Sequence, residues 1–374
     1  MSNRPVRPGL RAPLGGCDCY LLALEDLMLR SGQGRHVGVT VLEVGEGFET
    51  DRLAAAAAKF AASQPVLEAR LHRGLPGAVP SWREGSGSGV QVKCHRAGTE
   101  WISVADDLLQ GRWPGRLRFD VVPHGEGAAV LMSWSHLLLD ARGVELALAE
   151  VARLGSDQTA VAERNSHALP YARSRSWREE LRAVRPFLRR YWSLREHRVI
   201  SPGGAPARAG RACFAVERFT AEETAAMKRR AQPVTGGIFA LPWFLAVTMR
   251  AHAAVFRARG VSEGSLECTI SVQGRKRGMR GPIFQNQVSQ LFFALPLAGL
   301  SSAEAAARAL QEQFAAMTRD RFDAAFIVMV DWMRRLPPPL YRRFLRREAS
   351  GQLASFYHAH TGEFLPGLRE FCGG

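Results

Sequence analysis

The stretch "LMSWSHLLLDARGVELALAEV", residues 131–151, decides how this chain is read. Working back, "AAVLMSWS" (128–135) alternates, putting Val130, Met132 and Trp134 on one face of a strand. "RLRFDVVPH" (116–124) alternates likewise, and "HGEG" (124–127) joins the two as a hairpin. Working forward, "RGVELALAEVARL" (142–154) has the spacing of an amphipathic helix. His136 stands where the strand ends, a place where a rigid frame presents reactive groups on a loop. Asp140 follows after Leu137, Leu138 and Leu139. Three leucines anchor such a loop in the core, which turns His136 outward and Asp140 inward. A buried carboxylate requires a cation or several donors, and "VQGRKRG" (272–278) offers Arg275 and Arg277. An HxxxD string is common by chance, so a satisfied loop histidine is the competing reading.

The chain has 374 residues, more than one ordinary core holds, so two domains or a doubled fold are expected. At 46% hydrophobic residues it can bury a sizeable core. The formal net charge of +15 suggests anionic partners. Lysine, however, occurs only at Lys59, Lys93, Lys228 and Lys276, and arginine supplies the rest. That bias matches a GC-rich coding sequence as well as a function. Zinc-finger spacing, an RNA-recognition motif and a basic–aromatic stripe are all lacking, so no nucleic-acid partner is expected. Six scattered cysteines without a CxxC pair point to reduced thiols, no disulfide framework and no metal site. "MSNRPVRPGLRAPLGG" is no secretory signal, and "IFALPWFLAV" (238–247) is too short to span a membrane. The chain reads as cytoplasmic, or peripheral to the inner face of the membrane.

Further elements follow from spacing. Helices are expected over 17–30, over 49–64 with Thr50 or Asp51 as cap, and over 220–231 with a Thr220–Glu223 capping box. More are expected in "IFALPWFLAVTMRAHAAVFRARG" and "SSAEAAARALQEQFAAMTRD". Strands are expected at 36–44, 66–73, "CFAVERF" (213–219), "LECTISVQ" (266–273) and "QVSQLFFALPL" (287–297), with a strand-like end in "ASFYHAHTGEF". "SWREELRAVRPFLRRYWSLREHR" (176–198) reads as a basic helical stretch interrupted by Pro186. "REGSGSGV" (83–90) lacks the lysine and helix of a phosphate loop. "MVDWMRRLPPPLYRRFLRR" (329–347) suits a core-packed amphipathic helix or an anionic surface. The layout is α/β, an α+β layered sandwich, with 1–170 and 212–374 as similar halves and 171–211 as a basic crossover and linker.

"SHLLLDARG" resembles the HHxxxDG motif of the condensation-domain and wax ester synthase/diacylglycerol acyltransferase superfamily. Chloramphenicol acetyltransferase and the plant BAHD acyltransferases share its HxxxD core. The likeness continues in order through "PLGGCDCYLLALE", "SQPVLEARLHR" with Pro65 and Arg70, "SVQGRKRG…FQNQVSQLFFALP" with Arg275, Asn286, Ser289 and Pro296, and "RRLPPPLYRRFLRR". Ser135 replaces the motif's first histidine. Ala141 stands where the family has glycine, with Gly143 the nearest. The family's later C-terminal strands are abbreviated after Cys372, as in a short or truncated second half.

The resemblance implies two chloramphenicol acetyltransferase-like halves forming a pseudo-dimer around a tunnel. An acyl thioester, acyl-CoA or acyl-phosphopantetheine, would enter from one side as co-substrate, with no tightly bound cofactor. A hydroxyl or amine acceptor would enter from the other. His136 would be the general base and Asp140 an orienting residue paired with Arg275. Asn286, Gly143 and Ser135 would support them, a backbone N–H near Gly143 serving the oxyanion. The chain shows no attached carrier segment, which favours coenzyme A or a carrier protein acting in trans. The rival readings are a carrier-dependent condensation enzyme, a degenerate binding protein of this fold, and a basic lipid-surface binder.

Overall fold

The computed structural model describes residues 11–374, except 76, 86–88, 114, 158, 163–175, 202–212, 238–239, 276–277, 280 and 350–353; of 347–349 it describes the backbone alone. In chain order the first half runs β1 (Arg11–Pro13), α1 (Gly16–Arg30), β2 (Val37–Val44), α2 (Thr50–Ser63), β3 (Arg70–His72), β4 (Ser81–Arg83), β5 (Val90–Cys94), α3 (Trp101–Leu109), β6 (Leu117–His124), β7 (Gly127–Ser135) and α4 (Ala141–Ser156). The remainder runs α5 (Trp177–Arg195), α6 (Ala221–Thr235), α7 (Leu241–Ala258), β8 (Ser265–Gln273), β9 (Val288–Pro296), α8 (Ala303–Arg319), α9 (Phe322–Met333), α10 (Pro338–Ala349) and β10 (Phe356–His358).

The hairpin at 117–135 forms as its alternation predicts, with His124 opposite Gly127 and Leu117 opposite Trp134. It occupies the middle of a four-stranded sheet ordered β2-β7-β6-β5, where β2 pairs antiparallel to β7 and β5 parallel to β6. Val130, Met132 and Trp134 join the main core. Their alternates Ala129 and Leu131 pack in a second cluster with Trp101, Val104 and Leu108 of α3. β7 is therefore covered on both faces, which suits an almost continuously apolar strand. The second half has a smaller sheet, β10-β8-β9, with β9 antiparallel and β10 parallel to β8. A third sheet, β1-β4-β3, pairs the start of the chain with residues 70–83.

Several expected elements differ. The strand over 66–73 shortens to Arg70–His72, because Pro65 starts a 3-10 turn through Leu67. Residues 213–219 form no ladder. Pro186 does not interrupt α5: a Ser176–Glu179 capping box starts it, and Phe187 packs on Phe292, Phe322 and Phe326. Packing thus holds the helix through a residue that would break an isolated one. The 329–347 segment is two helices, parted at 334–337 ahead of Pro338. Leu241 begins the long helix, with proline in its first turn. α2 takes Glu49 as its N-cap, not Thr50 or Asp51. The Thr220–Glu223 capping box forms as expected. Most of the 201–211 linker lies outside the described residues. One hydrophobic cluster runs through both halves, from Leu14 to Cys372.

Candidate active site

Two strand exits meet at the site. From the first half, β7 ends at Ser135, whose N–H donates to Arg116 C=O and whose C=O accepts from Leu138 N–H at 2.9 Å each. That tight turn drives Leu137, Leu138 and Leu139 into the core and ends at Asp140. From the second half, β8 ends at Gln273 and the chain returns through 274–287 to β9. The returning segment docks on the leucine loop, with Leu139 bridged to Gln285 and Gln285 N–H donating to Leu138 C=O at 2.8 Å. Gln285 holds φ 103, a left-handed value that costs a non-glycine residue about 1–3 kcal/mol. Contacts from both halves keep it there.

Asp140 is 1% exposed and serves as N-cap of α4. Its Oδ1 accepts from Gly143 N–H and Arg275 Nη1, both at 2.8 Å. Its Oδ2 accepts from Arg275 Nη1 at 2.7 Å and from Gln287 N–H at 2.8 Å. Arg275, also buried, spends its other donors on Pro282 C=O at 3.2 Å and Gln285 C=O at 3.0 Å. The pair is buried, with Arg275 Nη1 shared between both carboxylate oxygens and the remaining donors and acceptors hydrogen-bonded, the condition under which a buried ion pair is tolerated. It latches the two strand exits to each other. Arg277, the other candidate partner, lies outside the described residues.

The Gly143 N–H is engaged by Asp140 Oδ1 and so is not itself free for an oxyanion. What requires glycine there is space: a Cβ would sit 2.4 Å from Ile283 C=O and 2.9 Å from Leu139 Cβ. Ala141 is the exposed first residue of α4 and lacks a positive φ.

His136 is half-buried rather than turned outward, and burial lowers its pKa below the ordinary 6.5, leaving a neutral ring at neutral pH. Its main-chain N–H donates to His36 C=O at 2.9 Å, and the two imidazoles stack with centroids 4.7 Å apart and planes 25° from parallel. Burial pushes His36 down to about 3, with His136 as the lesser cause. Asn286 ties the segments together, its Nδ2 donating to His136 C=O and to Asp18 Oδ1 at 2.9 Å each. Asp18 also accepts from Asn286 N–H and Gly15 N–H at 3.0 Å, and burial raises its pKa to about 6. A cavity of about 290 Å³ lies beside this segment, bounded by Gly15–Cys17, Gln285–Val288 and the α9 residues Ile327, Val330 and Asp331.

The structure thus brings together His136, Asp140, Arg275, Asn286, Gly143 and Ser135. Asp18 and His36 join them unforeseen. "CDCY" reads as the apolar face of a helix, and "HVGVTVLEV" reads as a strand. The signal for Asp18 was a carboxylate at the third position of a helix that begins with two glycines, near a helix N-terminus. Among the described residues no group of three His, Cys, Asp or Glu could hold a metal ion, and no helix is long and apolar enough to cross a membrane.

No family model and no curated protein matches the sequence. Solved structures do. The chain is similar to the first condensation domain of the CDA synthetase, with 15% identity and a TM-score of 0.58 over 94% of this chain and 80% of that one. It is also similar to the tallysomycin biosynthesis protein TlmII, with 15% identity and a TM-score of 0.58 over 94% and 83%. A third is F. graminearum TRI101 complexed with coenzyme A and deoxynivalenol, with 12% identity and a TM-score of 0.57 over 97% and 88%. The chain has the condensation-domain fold. At these identities the likeness shows the fold, and the geometry above carries the chemistry.

Proposed function

We propose that this chain is an acyltransferase moving an acyl group from a thioester to a hydroxyl or amine, with His136 as general base. The observation that carries this reading is a neutral imidazole at a strand exit whose loop is latched by the buried Asp140–Arg275 pair. His136 takes the proton from the acceptor as its oxygen or nitrogen attacks the thioester carbonyl. The tetrahedral intermediate collapses, the carbon–sulfur bond breaks, and the leaving thiolate takes the proton back from His136. Thiol and acyl product result, with no covalent enzyme intermediate and no change of oxidation state. Asp140 relays no proton, since its oxygens are engaged by Arg275, Gly143 and Gln287. It holds the loop, and Asn286 holds the His136 carbonyl.

In finer detail, the donor is acyl-CoA and the acceptor an alcohol, as in wax ester synthase-like enzymes. The ordered run of resembling segments supports this, as does a fold shared with a structure that contains coenzyme A. Residues 1–170 and 212–374 act as the two halves, and substrate reaches the site through the cavity at 285–288. A carrier-protein donor is the second reading, favoured by the similarity to condensation domains.

Purified chain offered acyl-CoAs and acyl-phosphopantetheine thioesters with alcohols and amines tests this by thiol release and mass of the product. Acceptor-dependent release is expected, falling about 10²–10⁴-fold in His136→Ala. Equal turnover by both proteins, or none across the panel, would overturn the reading. The preferred donor separates coenzyme A from a carrier.

A further inference from the structure

A general base must be held in one plane, and in hydrolytic triads a carboxylate does this by accepting a ring N–H. Here Asp140 is occupied elsewhere. The buried Nδ1 of His136 is not held by a carboxylate, and the ring's polar neighbours are its own main chain and the Asn286 side chain. What stands against the ring is His36. The β2–β7 register pairs Val37 with Ser135, which puts His36 and His136 side by side where the two strands end. The His36 main chain is gripped from both directions: its C=O accepts from His136 N–H at 2.9 Å, and its N–H donates to Glu25 Oε2 at 3.2 Å. Glu25 is itself 7% exposed, and burial raises its pKa, with Arg35 the first of the groups that oppose the shift.

We propose that His36 is a positioning residue for His136, its flat ring stacking on the imidazole and fixing the plane in which the base meets the acceptor. This rests on the reading of His136 as general base. Two features argue that the face, not a polar atom, is what matters. The Nδ1 of His36 is buried without a partner, so the ring is not held for a hydrogen bond at that atom. Burial also keeps His36 uncharged near neutral pH, so it presents an aromatic face rather than a second cation. Near-parallel rings at 4.7 Å lie within the range of favourable aromatic pairs.

His36→Phe keeps a flat ring, and His36→Leu keeps apolar bulk without one. His36→Phe should retain kcat within about threefold. His36→Leu should lose about tenfold or more in kcat at unchanged KM, as misplacement of a catalytic group does. Proton NMR of the His136 ring gives a readout independent of turnover. Its carbon-bound protons should show a ring-current shift in wild type and His36→Phe that disappears in His36→Leu. Equal kcat in the two variants, or His136 proton shifts indifferent to both, would overturn the proposal. If no thioester is turned over, the transferase reading fails while the NMR comparison still decides the stack. Should His36→Leu not fold, His36→Gln, polar and non-aromatic, replaces it in the same comparison.

Discussion

Two aspartates of the first half are equally hidden, Asp140 at 1% and Asp120 at 0% exposure, yet they do different things. Asp120 sits in mid-strand on β6, and its Oδ1 accepts from His95 Nε2 at 2.7 Å and from Arg118 Nη2, both within the same half. Its Oδ2 is buried without a partner. Asp140 has both oxygens engaged, and two of its three donors, Arg275 and Gln287, come from 130 or more residues away. A buried carboxylate beside a histidine and an arginine is therefore no mark of a site by itself. What singles out Asp140 is that its partners arrive from the other half, at a strand exit, around a loop that carries an imidazole.

That contrast can be broken by substitution. The largest effect belongs to Asp140→Ala, which leaves the Arg275 guanidinium buried without its counter-charge. A loss of about 3–5 kcal/mol in chemical denaturation is expected, with turnover lost as well. Gly143→Ala comes next, because its Cβ meets the Ile283 carbonyl. Overpacking of about 1–3 kcal/mol is expected, together with reduced turnover as the 281–287 segment shifts. Asp120→Asn keeps the acceptor oxygen at which both donors meet but removes the charge opposite the partly exposed Arg118, and should cost about 1–3 kcal/mol with turnover intact. If it silences turnover as Asp140→Ala does, the distinction between the two aspartates fails.

How much of this was legible in the sequence follows the same division. The hairpin at 117–135 and the site loop could be read because alternation and an HxxxD string are local signals. A buried carboxylate demands a cation, which left Arg275 and Arg277 open, and the family resemblance singled out Arg275. His36 and Asp18 could not be read, since each enters the site through register or a distant contact. His36 reaches His136 by the β2–β7 pairing, and Asp18 by Asn286, 268 positions along. The strand expected at 213–219 has the right composition but no strand partner among the described residues, and composition cannot supply one. Pro186 misled for the converse reason: an aromatic cluster stabilises a helix that propensity alone would break.

The smallest expected effect is on pH dependence. Burial lowers the His136 pKa, so the base form persists below 6.5, and the acid limb of kcat/KM should have its midpoint under that value. The sign for stability agrees. Between the folded pKa and 6.5 the unfolded chain binds the extra proton, so stability falls as pH drops through that window. Asp18, raised to about 6, titrates nearby, and Asp18→Asn separates its contribution: the limb should remain in that variant. A midpoint at or above 6.5 would mean that His136 is not held neutral by burial.

The central claim is that His136 supplies chemistry and Asp140 supplies architecture. Thermal unfolding and acceptor-dependent thiol release, measured on one preparation of His136→Ala beside wild type, test it most directly. A Tm within a few degrees of wild type is expected, with turnover lower by about 10²–10⁴-fold. A Tm that collapses together with turnover, or turnover that survives the substitution, would contradict it.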